Sequence, residues 1–205
     1  MTAAVLDHAA HPPEAHHTSF PVNSRKLAIW TFIGSECLFF ASLITTFVIY
    51  RNSHAKGPGP KDIFEVPLVT FGTAVLLFSS FFIVMALNGA QQGNRQKLVK
   101  WLSLTVLSGC FFVGMQVYEF THFYHKGLGY STNLFASSFF TLTGFHGSHV
   151  AIGTLWNATL LKDAVKGRLP AAKALNLEIA ALYWHFVDVV WIIIFPVVYL
   201  MSLGR

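Results

Sequence analysis

Charge is what this 205-residue chain has least of. Asp, Glu, Lys and Arg make up 11% of it, against 54% hydrophobic residues, and mean hydropathy is +0.53. Soluble domains carry about 25% charged residues, so a water-soluble fold could not cover this much apolar surface. A bilayer removes the problem by solvating the apolar faces. Acids are scarcer than bases, 9 against 14, giving a net charge of +5. That excess raises the question of a nucleic-acid partner, but the basic residues sit in short clusters between apolar runs, not along one face. The pattern belongs to membrane topology, and no nucleic-acid partner is expected. Cysteine is almost absent. Cys37 and Cys110 lie inside apolar runs and are expected as buried free thiols. With no C-x-x-C or C-x-x-x-C pair, a thiolate-bound metal is not expected. Residues 1–24 lack the basic start, apolar middle and small-residue cleavage site of a signal peptide. They are polar and rich in Pro and His (His8, His11, His16, His17), and read as a mobile tail ahead of one membrane domain, residues 25–205.

Five apolar stretches are present: Leu27–Tyr50, Pro67–Asn88, Leu98–His122, Leu134–Leu161 and Ala174–Leu203. Each has at least the roughly 20 residues needed to cross a hydrocarbon core about 30 Å thick at 1.5 Å per residue. Helices are expected because lipid cannot satisfy exposed backbone groups, and the short alternating segments of a β-barrel are not seen. Breakers separate the stretches: Lys56–Pro60, Asn88–Asn94, Gly127 with Gly129, and Gly167 with Pro170. The fold class is thus an all-α integral membrane protein of five transmembrane helices. Placing the N-terminus inside puts 9 Lys and Arg (Arg25, Lys26, Arg95, Lys97, Lys100, Lys162, Lys166, Arg168, Lys173) on the inner segments. The outer ones hold 5 (Arg51, Lys56, Lys61, Lys126, Arg205). This bias predicts a cytoplasmic N-terminus and an outside C-terminus.

The informative residues are those that hydrocarbon should exclude, since a central acid costs roughly 2.5–3.5 kcal/mol on insertion scales. Glu36 lies near mid-membrane in the first stretch. It is either a carboxyl tuning a proton site or lipid cleft, or a neutral acid hydrogen-bonded to a neighbouring helix. Gln116, Glu119 and His122 recur at i, i+3, i+6 and form a polar stripe. Glu119-Phe-Thr-His122 has the E-x-x-H spacing of di-iron bundles, but such sites need two of these motifs and further glutamates; interhelical hydrogen bonding is the better reading. His146 and His149 sit three apart beside two small-xxx-small pairs, Gly144/Ser148 and Gly147/Ala151. They predict a tight helix interface with hydrogen-bonding His rather than a metal site. In the last stretch Glu178 and His185 lie within about 20° of one direction. Asp188 shares that side and is placed to pair directly with His185.

Four ordered motifs carry a resemblance. Tyr183-Trp-His-Phe-Val-Asp-Val-Val-Trp191, Thr143-Gly-Phe-His-Gly-Ser-His149, Ser35-Glu-Cys-Leu-Phe-Phe40 and Gln116-Val-Tyr-Glu-Phe120 resemble segments of subunit III of haem–copper terminal oxidases. The likeness covers roughly residues 25–205 and fits the shorter five-helix bacterial form. It implies the same N-inside topology and a V-shaped cleft filled with phospholipid. It also implies a subunit with no haem or copper of its own, packed against the catalytic subunit I, with subunit II and small subunits as further partners and the haems and copper held in partner subunits. Such a subunit supports proton uptake and protects the catalytic centre from turnover inactivation, in a complex that reduces O₂ to water and pumps protons. Residues matching the family motifs are Glu36, Gln116, Glu119, His146, His149, Glu178, Trp184, His185 and Asp188. Arg168 falls where the family places a basic residue near lipid phosphate, which a guanidinium grips bidentately. Gly-Phe-His-Gly and Glu178 resemble cytochrome c oxidases, whereas Lys61-Asp-Ile-Phe-Glu65 and the His-rich tail resemble quinol oxidases; cytochrome c is favoured as donor. Two other classes stay open at this point. One is an autonomous membrane metalloenzyme using Glu119, His122, His125, His146 and His149; the other is a proton channel built on the buried acids.

Overall fold

A computed structural model describes residues 24–53, 66–169 and 174–201. The polar tail, Lys56–Pro60, Lys61–Glu65, Pro170, Lys173 and the segment from 202 to 205 lie outside the described residues. Five helices follow one another: α1 Ser24–Tyr50, α2 Val66–Gln91, α3 Arg95–His125, α4 Leu134–Val165 and α5 Ala174–Phe195. A π-helical turn, Pro196–Leu200, extends the last. The five apolar stretches are these helices, the first four lengthened by up to about a turn into the flanking polar sequence and the last described as far as Met201.

Helix ends follow the local chemistry. Asn94 and Asn133 cap α3 and α4, their side chains accepting from the backbone N–H of Lys97 (3.0 Å) and Ala136 (2.7 Å). At the other ends Gly93, Gly127 and Gly167 adopt positive φ, which only glycine enters freely. The residue after each closes a bond five residues back: Asn94 to Gly89, Leu128 to Phe123, Arg168 to Asp163. This is the Schellman ending, which satisfies the last carbonyls of a helix. Hydroxyls on α1 are absorbed the same way. Ser35 donates to Phe32 O and Thr45 to Ala41 O, so these polar side chains face outward without an unmet donor.

Four helices (α1, α2, α3, and α5 with its π turn) are long and apolar enough to cross a membrane. Helix α4 is the longest at 32 residues, but it concentrates Ser, Thr, His, Gly and Asn, and its polar side chains largely face protein. Of these, Thr143, His146, Thr154 and Asn157 are buried. Conversely Leu38, Leu107, Val117 and Leu155 are 61–76% exposed, as expected of a bundle whose outer faces meet lipid. Cys37 and Cys110 share that outer surface. They are free but exposed, not buried as expected; an apolar run in a membrane helix faces lipid as readily as protein, so the run alone does not report burial.

Helix α5 is the hub. Trp184, Trp191 and Ile194 are buried to 2% exposure or less, and α5 packs on α1, α2 and α4. Its two indoles are pinned to α2: Trp184 Nε1 donates to Ser79 Oγ (2.8 Å) and Trp191 Nε1 to Thr73 Oγ1 (2.9 Å). Trp184 fits because Gly109 and Gly153 leave space; a Cβ on either would stand 2.9 Å from its ring. Helix α1 is peripheral, packing mainly on α4 and α5. Within α5, Pro196 cannot donate to the preceding turn. The chain widens there, with Met201 N–H reaching Pro196 O, and the turn carries Tyr199 inward.

Candidate functional site

The buried ionisable groups do not converge on one point. They form separate contacts, each joining two helices. Near the middle of α1, Glu36 Oε2 meets His149 Nε2 of α4 at 3.3 Å, the two side chains 19% and 14% exposed. His149 Nδ1 lies 2.7 Å from Phe145 O. A carbonyl only accepts, so Nδ1 carries a hydrogen. The approach of Nε2 to Oε2 sets the imidazole and the carboxyl side by side, an arrangement an apolar medium tolerates better than a lone acid. Tyr183 of α5 adds its hydroxyl to His149 O (3.1 Å).

His185 and Asp188 do not pair directly as expected. Ser80 of α2 stands between them: its Oγ is 2.9 Å from His185 Nδ1 and donates a short bond to Asp188 Oδ2. The hydroxyl has one hydrogen, so directing it at Asp188 makes His185 Nδ1 the donor to Ser80. Two residues three apart on α5 thus hold α2 through one serine. Glu178, on the same side near the start of α5, sits apart from them. Its Oε1 receives Lys26 Nζ at 2.6 Å, while Arg25 reaches Asn176 at 3.4 Å.

On α3, Gln116 Nε2 donates to Thr143 O (2.6 Å), its amide filling the space over Gly147, where a Cβ would stand 2.1 Å from Oε1. Glu119 receives the Tyr199 hydroxyl, 3.0 Å from both oxygens. His122 lies parallel to Tyr118, ring centroids 6.1 Å apart. His146 departs from expectation: it is fully buried but neither ring nitrogen has a hydrogen-bond partner among the described residues. Aromatic rings hold it instead, stacked at 4.7 Å on Trp191 with Phe112 edge-on at 5.9 Å. Of the two small-residue pairs, Gly147 serves a close approach; Gly144 and Ser148 line an outward groove. Arg168 is exposed in the turn after α4, its backbone N–H bonded to Asp163 O (2.8 Å).

Ser80 and Tyr199 enter this network without having been singled out in the sequence, and Lys26 is counted there only for topology. For Tyr199 the available signal is Pro196 three residues earlier, a helix disturbance that changes which face follows. For Ser80 there is none, since a serine in an apolar run more often bonds its own helix, as Ser79 does at Leu76 O. Among the described residues no three His, Cys, Asp or Glu side chains come together at metal-binding separations. The arrangement can hold helices in register.

The family model for cytochrome c oxidase subunit III matches residues 8–203. Cytochrome c oxidase subunit 3 of Bacillus sp. (strain PS3) is 42% identical over 177 residues, 86% of each chain. Quinol oxidase subunit 3 of Bacillus subtilis (strain 168) is 40% identical over 202 residues, covering 97% of this chain and 99% of that one. Cytochrome bo(3) ubiquinol oxidase subunit 3 of Pseudomonas aeruginosa is 38% identical over 209 residues, 98% and 99%. With the apolar helices, these relatives make this a multi-pass plasma-membrane protein of a respiratory terminal oxidase. The chain belongs to the cytochrome c oxidase subunit III family, the third subunit of haem–copper oxidases.

Proposed function

We propose that this chain is a non-catalytic subunit, with all five helices crossing the membrane and the N-terminus inside. It steadies catalytic subunit I, holds phospholipid and supports proton uptake in an oxidase that reduces O₂ to water and pumps protons. Haems and copper belong to its partner subunits. The observation that carries the reading is the dispersal of the buried polar groups into pairs that join helices: Glu36 with His149, Glu119 with Tyr199, Asp188 and His185 through Ser80. A metalloenzyme would gather them. Two outward grooves, of about 350 and 180 Å³, meet at Thr141 on α4 and reach Tyr50 at the end of α1. They support a lipid-holding cleft along the outer face of α4, from Ser148 toward Leu134.

Cytochrome c is the donor we favour, on the Gly-Phe-His-Gly run and Glu178. The near-equal identity to relatives named for either donor, 42% and 40%, is what a subunit remote from the donor site would show. The test is the purified complex with and without this subunit. Loss of the subunit should leave the initial rate of reduced cytochrome c oxidation near normal while activity decays during turnover. Immediate loss of activity in a complex that keeps its other subunits would contradict the non-catalytic role. Turnover with quinol but not with cytochrome c would reverse the donor.

A further inference from the structure

At the end of the bundle where α3 begins and α4 ends, a groove of about 430 Å³ is lined by Arg95, Gln96, Val99, Lys100 and Val165. We propose that it is a binding site for one acidic phospholipid, its phosphate between Arg95 and Lys100 and its acyl chains along Val99 and Val165. The proposal deepens the lipid-holding reading above, at a place apart from the α1–α4 grooves.

Arg95 is fixed in position. Its Nε donates to Ala164 O (3.1 Å) and its Nη2 makes a short bond to Val165 O, so the guanidinium closes the C-terminal carbonyls of α4. Nη1 remains, and no carboxylate pairs with Arg95 among the described residues. Lys100 is placed similarly, its ammonium 5.4 Å from the Trp101 ring centroid and without a carboxylate partner among the described residues.

The location of these cations is the second observation. Helix N-termini favour acids and disfavour bases, yet α3 opens Arg95, Gln96, Lys97 with no acid in its first turn. A bias for topology would be met as well by cations in the loop, away from the helix end. A phosphate in the groove turns the local repulsion into attraction and is gripped by a guanidinium already immobilised. A lipid is favoured over a soluble phosphate because the floor is apolar and runs on into exposed surface. Val165 is 51% exposed, and Leu107, two turns beyond Lys100 on the same face of α3, is 66% exposed. Trp101, next to Lys100, is of the residue type enriched at the headgroup level.

The test uses the intact oxidase complex in nanodiscs, with a photoactivatable phosphatidylglycerol probe and an otherwise identical phosphatidylcholine probe. Crosslinked peptides from the start of α3 and the end of α4 are counted. The phosphatidylglycerol probe should label them in preference to phosphatidylcholine, and Lys100→Gln should lower that labelling about fivefold. Among the described residues Lys100 makes no helix–helix hydrogen bond, and the α3–α4 clamp is made by Arg95, so this variant keeps it. Arg95→Gln with Lys100→Gln should abolish the preference, and Arg95→Lys should retain part of it. Unchanged labelling in Lys100→Gln, or equal labelling by both probes in the wild type, would overturn the proposal. Labelling of the Tyr130–Ser148 peptide reports separately on the α1–α4 grooves and should not respond to these substitutions.

Discussion

Glu36 sits mid-helix with His149 of α4 as its partner, Oε2 and Nε2 3.3 Å apart, and His149 Nδ1 is itself committed to Phe145 O. Single substitutions at Glu36 and His149 should therefore be less than additive. A double-mutant cycle with Glu36→Ala and His149→Ala should give a coupling of about 0.6–1.7 kcal/mol, the range of polar pairs within membranes, read from the thermal dissociation of this subunit; zero coupling would dissolve the pair. At Glu119 the asymmetry runs the other way. Tyr199→Phe deletes a donor that touches both carboxylate oxygens and leaves a buried acid short of it. The expected loss is about 1–3 kcal/mol, measured the same way. Glu36 and Glu119 were legible as residues needing partners, because hydrocarbon excludes acids. Their partners were not, since pairing depends on the rotation of each helix about its axis, which periodicity does not fix. Cys37 and Cys110 were misread for the same reason: an apolar run in a membrane helix has no unique inner face.

Sequence spacing read the elements well. Apolar length placed all five helices, and the glycine breakers became the turns that end α2, α3 and α4. What spacing could not show is the depth of contact. Gly147 looks like its neighbour Gly144, yet a Cβ on Gly147 would strike Gln116 at 2.1 Å, while one on Gly144 would be 4.0 Å from its nearest neighbour. Gly147→Ala should then destabilise the α3–α4 contact by about 1–3 kcal/mol. Gly114→Ala, whose Cβ meets nothing within 4 Å in this chain, should be neutral or gain up to about 1 kcal/mol from helix propensity. Denaturation midpoints of the two variants check the pair. Equal effects would mean that helix propensity, not packing, decides both. The π turn at Pro196 was legible only as a proline inside an apolar run. That it redirects Tyr199 toward Glu119 depends on tertiary packing beyond any local rule.

At the scale of the molecule, polar contacts link α1 to α4, α3 to α4, α2 to α5, and α3 to the end of α5. Lys26–Glu178 ties the starts of α1 and α5. Alternation of the helices puts Lys26, Arg95, Lys162 and Lys166 at one end, the end the Lys and Arg distribution assigns to the cytoplasm. A cysteine introduced at Gln92 should accordingly react with an impermeant thiol reagent only from the cytoplasmic side, and one at Tyr130 only from outside. The reverse pattern would invert the topology. The central claim is that the buried carboxylates and imidazoles hold helices and lipid rather than perform redox chemistry. Its most direct test is haem content and turnover of the purified oxidase carrying Glu36→Ala or Asp188→Ala. Haem per complex and initial rate should stay near wild type, while activity under sustained turnover, or retention of lipid and of this subunit, declines. Loss of the haem spectrum, or of the initial rate, from an otherwise assembled complex would contradict it.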